Sequence, residues 1–157
     1  MFQNGTVDGV VFRPLKAHAD SRGWLLELMR DDELPSEHRP AMSYVSMTLP
    51  GVTRGPHEHR EQSDFFAFFG PGDFKLYLWD SRRDSPSYKC VQTVVVGESN
   101  PQAVLVPPGV VHAYKNVSAV PGLVFNAPNR LYGGWGRAER VDEVRHEDDA
   151  ESPYGIE

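Results

Sequence analysis

The chain has 157 residues, with 16 Lys and Arg against 22 Asp and Glu, a net charge of −6. A chain of that length folds as one domain with a proper core, and its acidic balance excludes a general nucleic-acid binder, which draws affinity from surplus Lys and Arg. No apolar run is long enough to span a bilayer, no basic-then-apolar leader is read at the start, and the single Cys90 excludes an internal disulfide and suits a reducing cytoplasm.

The pattern predicts strand after strand. Residues 9–14 (GVVFRP) are β-branched and closed by a proline, and 23–29 (GWLLELM) suit a strand or one turn of helix. Residues 31–39 read as loop, and 43–48 alternate, with Tyr44, Ser46 and Thr48 on one face. In 64–69 (DFFAFF), Phe65, Ala67 and Phe69 oppose Phe66 and Phe68, before a Gly70-Pro71-Gly72 turn. Residues 74–80 alternate again, setting Lys75, Tyr77 and Trp79 against Leu76, Leu78 and Asp80. Strands are expected at 91–97, 103–106 and 123–126, and a single helix within 136–144. Many short strands divided by Gly and Pro predict an all-β sandwich or barrel. The expected organisation is a single domain over 1–157. Its barrel core spans about 40–126, with N-terminal strands 9–29 and the acidic segment 137–157 packed on it.

The densest chemistry lies in 53–64, TRGPHEHREQSD. His57 and His59 sit two apart, so on a strand both leave the same face. About 50 residues on, His112 follows a Pro107-Pro108-Gly109 turn. Three histidines meeting in a barrel mouth suit proton chemistry or a divalent transition metal. For a metal the set is His57, His59, His112 and Glu61, which shares the His59 face in a regular strand.

HxH followed by PxGxxHxxxN (Pro107, Gly109, His112, Asn116) resembles the two motifs of the cupin superfamily, which are jelly-roll β-barrels. The resemblance narrows to one branch. Asp20-Ser21-Arg22-Gly23-Trp24-Leu25-Leu26-Glu27 resembles the DxRGxFxE segment of dTDP-4-dehydrorhamnose 3,5-epimerases. The stretch from Gly51 to His57 resembles their GVLRGLH, Asp80-Ser81-Arg82 with Ser85–Tyr88 their DxR…SPTF, and Val106–His112 their IPxGFAH. RGPHEH is also similar to the RGxHAH of the dTDP-sugar 3,4-ketoisomerases, whose two histidines need no metal.

The resemblance implies an epimerase or isomerase of a nucleotide-linked 4-keto-6-deoxy sugar, working without metal or other cofactor. His57 is then the base beside the ketone, and its carboxylate partner comes from the C-terminal segment, with Asp148 the expected residue and Asp149 its neighbour. His59 and His112 stabilise the enolate or shuttle the proton. Arg22 and Arg54 suit a diphosphate, and Tyr44, Lys75, Asp64 and Phe125 complete the expected substrate-binding set. Asp64 stands where the epimerases place a lysine, and Phe125 where they place a catalytic tyrosine; Tyr132 matches a second tyrosine of their site. Relatives dimerise through their sheets, so a homodimer is expected, with a small nucleotide sugar as the partner and neither nucleic acid nor membrane. Two alternatives differ in class: the metal-dependent cupin above, and a cupin that binds carbohydrate without catalysis.

Overall fold

The computed structural model describes residues 1–157. Its strands are β1 (Gln3–Asn4), β2 (Val11–Pro14), β3 (Ala17–Asp20), β4 (Gly23–Leu26), β5 (Tyr44–Thr48), β6 (Thr53–Glu58) and β7 (Asp64–Phe68). They continue with β8 (Asp73–Asp80), β9 (Cys90–Gly97), β10 (Gln102–Val106), β11 (Val110–Asn116), β12 (Gly122–Asn126) and β13 (Val144–Arg145). One sheet runs β1-β9-β8-β11-β6-β13, the other β2-β10-β7-β12-β5, and β3-β4 form a separate hairpin. The two larger sheets face each other with crossing connections, the arrangement of a jelly roll.

Strict alternation builds the core. On β7, Phe66 and Phe68 point between the sheets, where Phe74, Leu76, Leu78, Val104, Val110 and Val124 meet them. Phe65 and Ala67 point the other way, under Leu15, Leu26, Leu28 and Leu34 of the N-terminal segment. The outer face of β8 is covered as well. Tyr77 and Trp79 stack at 5.6 Å between ring centres, and Phe2, Tyr154 and Ile156 pack against that cluster. Lys75 shares this outer face, its Nζ 3.7 Å from Glu157 and over the Tyr77 ring. It is therefore on the wrong side of β8 for the substrate contact expected of it, because a one-residue step along a strand changes the face.

Two further expectations are corrected. The helix expected within 136–144 does not form. Gly133, Gly134 and Gly136 all take positive φ, which interrupts a helical run. Only a 3-10 turn, Trp135–Arg137, remains before β13 pairs with β6. Residues 31–39 are not wholly irregular either, since they hold 3-10 turns at Asp31–Glu33 and Ser36–His38. Of the ambiguous segment 23–29, residues Gly23–Leu26 form strand β4 and the rest is irregular.

Candidate active site

Strands β6 and β11 lie side by side with His57 directly opposite His112. Their ring centres are 4.5 Å apart. Gly55 makes that approach possible. It has φ of +83°, and a Cβ there would lie 2.6 Å from the His112 carbonyl oxygen. The inward face of β11 carries His112 and Tyr114, while His59 follows just beyond the end of β6. The ligating atoms of His57, His59 and His112 all fall within 4.8 Å of one another.

The carboxylate among them is Asp64, at the start of β7 in the opposite sheet and fully buried. Its Oδ2 lies 3.1 Å from His59 Nε2 and 3.3 Å from His112 Nε2. Its Oδ1 accepts from Gln62 Nε2 at 3.0 Å and Asn126 Nδ2 at 2.9 Å. Burial alone raises a carboxyl pKa, but the facing His112 and His59 outweigh it and hold Asp64 ionised, below the usual range. Glu61, the carboxylate expected for a metal, is instead exposed and paired with Arg130 at 2.7 Å. The strand ends at Glu58, so the face argument that joined Glu61 to His59 does not apply.

His59 has an acceptor against each ring nitrogen: Asp64 at Nε2 and the Asp142 carbonyl oxygen at Nδ1. Burial opposes the charged ring, but Asp64 and Asp142 overcome it and carry the pKa up to about 9. Asp142 is itself anchored, its carboxylate accepting from the backbone N–H groups of Arg60, Glu61 and Gln62 at 2.8–2.9 Å. His57 behaves oppositely. Burial, then His112 and His59, holds it neutral, far below the usual imidazole range. His112 turns Nδ1 to the Val110 carbonyl oxygen at 3.0 Å, and its buried Nε2 faces Asp64 Oδ2 at 3.3 Å without the alignment of a hydrogen bond.

The C-terminal segment brings a carboxylate to His57, and it is Glu147, with Oε1 4.0 Å from Nδ1. Asp148, the expected partner, is exposed and makes no ion pair with His57. The backbone N–H groups of both His146 and Glu147 donate to the Pro56 carbonyl oxygen, which sets Glu147 beside His57 and turns its neighbour away.

Phe125 is also corrected. Val124 and Asn126 face inward on β12, so Phe125 faces outward and packs with Phe65 and Ala67. Asn126 is the residue that reaches the site. It donates through Nδ2 to Asp64 and, at 2.9 Å, to the hydroxyl of Tyr44. Tyr44 is 45% exposed; burial of its hydroxyl end raises its pKa to about 12, although the Asn126 bond lowers it. Tyr132 is exposed at the rim of a cleft of about 320 Å³ that also reaches His59, Gln62 and Asp142.

Of the two arginines, Arg54 ties β6 to β5, donating to Thr48 Oγ1 at 2.9 Å and the Met47 carbonyl oxygen at 2.8 Å. Arg22 sits at the β3–β4 turn, fully exposed and paired only with Asp20. That hairpin packs beside Phe69–Pro71, past the end of β7 opposite to Asp64, so this chain alone does not bring Arg22 to the histidines. Asp80 is buried under Arg82, Ser85 and Ser87 and holds the following loop.

Asn126, Asp142 and Glu147 escaped the sequence reading. Strand parity through Val124 was the available signal for Asn126; Asp142 and Glu147 lie in an acidic tail without a motif.

The model of the dTDP-4-dehydrorhamnose 3,5-epimerase family matches residues 4–132. A protein of Haloferax volcanii named probable low-salt glycan biosynthesis epimerase Agl13 is 39% identical over 127 residues, covering 80% of this chain and 81% of that protein. The spore coat polysaccharide biosynthesis protein SpsL of Bacillus subtilis is 38% identical over 115 residues, covering 73% and 75%. In fold, the chain resembles a dTDP sugar isomerase of Desulfovibrio desulfuricans, with a TM-score of 0.82 at 23% identity over 95% of this chain and 91% of that one. The barrel with its inward histidines, the ordered motifs and this match over most of the chain agree: the protein belongs to the dTDP-4-dehydrorhamnose 3,5-epimerase family and is an enzyme of that sugar-nucleotide epimerase class.

Proposed function

We propose that the chain epimerises a dTDP-linked 4-keto-6-deoxy sugar without a metal, with His57 as the base. The observation that carries this reading is the neutral, largely but not fully buried His57 with Glu147 beside it and a charged His59 close by. A base must be unprotonated before the substrate arrives, and burial keeps His57 in that form. It takes the proton from the carbon beside the ketone, and the C–H electron pair moves into the enolate. Glu147 steadies the imidazolium that results, as a carboxylate behind a base does. The enolate oxygen gains negative charge, which a preorganised cation stabilises. His59 takes that place here instead of the lysine expected at position 64, acting through its charge, since both its N–H groups are held by Asp64 and Asp142. Arg54, at the mouth between β5 and β6, suits the diphosphate.

A second reading has its own support. Both His59 and His112 turn Nδ1 to a backbone carbonyl and Nε2 toward Asp64, an orientation usual for histidines that hold a metal. With His57 they make three imidazoles and one carboxylate, a donor set for a divalent transition metal. Chelation separates the two: the first reading expects full turnover in chelator-treated, metal-free protein, and the second expects turnover only after a metal is restored.

A homodimer completes the proposal. Edge strand β5 exposes Val45 and Met47, with Leu49 just beyond, and the β3–β4 hairpin exposes Trp24 and Leu25. A second copy covers such apolar edges. No helix is long and apolar enough to cross a membrane, and a cytoplasmic location is proposed with the nucleotide-sugar substrate.

A further inference from the structure

Epimerisation needs two groups: a base that removes the proton on one face and an acid that returns one on the other. The position expected to hold the family's tyrosine for the second task, 125, is a phenylalanine that faces the outer cluster, so it cannot be that acid. We propose that Tyr44, on the neighbouring strand, is that acid; the assignment rests on His57 being the base.

Topology sets Tyr44 against His57. Strands β5 and β6 are joined by a short turn, yet β5 is the last strand of one sheet while β6 belongs to the other. Near the turn they are tied by Arg54 to Thr48. Moving away from that tie, the next inward positions are Ser46 and Tyr44 on one wall and His57 on the other. Ser46 is already occupied, 3.3 Å from the Tyr114 hydroxyl. Tyr44 is thus the residue of β5 that reaches the level of the histidines, from the sheet opposite to them, as an acid on the far face requires.

The hydrogen bonds then fix where its proton lies. Asp64 is ionised and can only accept. Asn126 must therefore turn its NH₂ group toward Asp64, which leaves its Oδ1 buried without a partner. The same NH₂ faces the Tyr44 hydroxyl, so that hydroxyl accepts, and its own proton has no acceptor in the protein. The oxygen is held and the proton is free to be given. A phenol is protonated at neutral pH at its ordinary pKa, so the proton is there to give, and the ring is exposed enough for a substrate to reach it. Tyr132, by comparison, makes no side-chain hydrogen bond and lies at the rim.

The step balances. The Tyr44 O–H bond breaks as a C–H bond forms on the enolate carbon, the ketone is restored, and the oxygen keeps the electron pair as phenolate. Water then reprotonates Tyr44 and takes the proton held by His57.

The test is proton NMR of dTDP-4-keto-6-deoxyglucose in D₂O with wild-type protein and Tyr44→Phe, which keeps the ring and removes the hydroxyl. The variant is expected to introduce deuterium beside the ketone at a rate within a few-fold of wild type. It is expected to lose inverted product by roughly 10²–10⁴-fold, the usual contribution of a positioned acid. Inversion at the wild-type rate in Tyr44→Phe overturns the assignment. So does loss of exchange in a Tyr44→Phe protein whose Tm is unchanged, since the phenol would then act before the acid step. Loss of inversion in Tyr132→Phe with inversion kept in Tyr44→Phe moves the acid to the rim. No exchange with wild type contradicts the base as well, and the acid with it.

Discussion

His59 and His57 sit in the same pocket and are pushed in opposite directions, because only His59 has an acceptor at each nitrogen. Each shift is also a statement about stability. The folded His59 holds its proton up to about pH 9 against an ordinary 6.5, so its contribution is full below 6.5 and is lost as pH rises through 9. His57 has the reverse sign: it is neutral when folded, and stability is lost as pH falls below 6.5 and the unfolded ring gains a proton. Wild-type Tm is therefore expected to fall between neutrality and about pH 9, and His59→Asn to flatten that fall, read by thermal melts across pH. An undiminished slope in His59→Asn contradicts the charged ring. The three histidines were legible in the sequence because each lies in a short motif of fixed spacing. Glu147 was not, since one carboxylate among several in the tail is selected only by the two hydrogen bonds to Pro56.

At the scale of elements, parity decides which side chains can act. The faces of β7 and β8 were readable because large apolar residues alternate with others, and both faces turn out to be covered. On β12 the motif alignment pointed to Phe125, but the register places Asn126 opposite Tyr44 and sends Phe125 outward. The helix expected near 136–144 failed for a local reason, the positive-φ glycines that open the segment. Strand β6 owes its path to Gly55, whose missing side chain admits the His112 carbonyl. Gly55→Ala meets both the positive φ and backbone that cannot give way. It is expected to cost about 1–3 kcal/mol in denaturant unfolding, and to lower turnover with it by moving His57. A variant as stable and as active as wild type contradicts this account of the strand.

The whole molecule pairs a sealed interior with an incomplete surface. Both sheets are packed on the inside and largely covered outside, while Met47 and Val45 stay exposed on edge strand β5. A homodimer that covers them is expected to dissociate when Met47→Lys and Val45→Lys are combined, seen as a halved mass in sedimentation equilibrium. An unchanged mass contradicts that use of β5. The jelly roll was legible because punctuation and alternation act along the chain, whereas the site draws on β5, β6, β7, β11, β12 and the tail, which only folding brings together.

The role proposed for His57 is to remove a proton without a metal. Its most direct test is exchange into dTDP-4-keto-6-deoxyglucose in D₂O, followed by proton NMR, with chelator-treated wild type and His57→Asn. Deuterium is expected beside the ketone with wild type, with a loss of roughly 10²–10⁴-fold in His57→Asn. Exchange that survives His57→Asn, or that appears only when a divalent metal is restored, contradicts it.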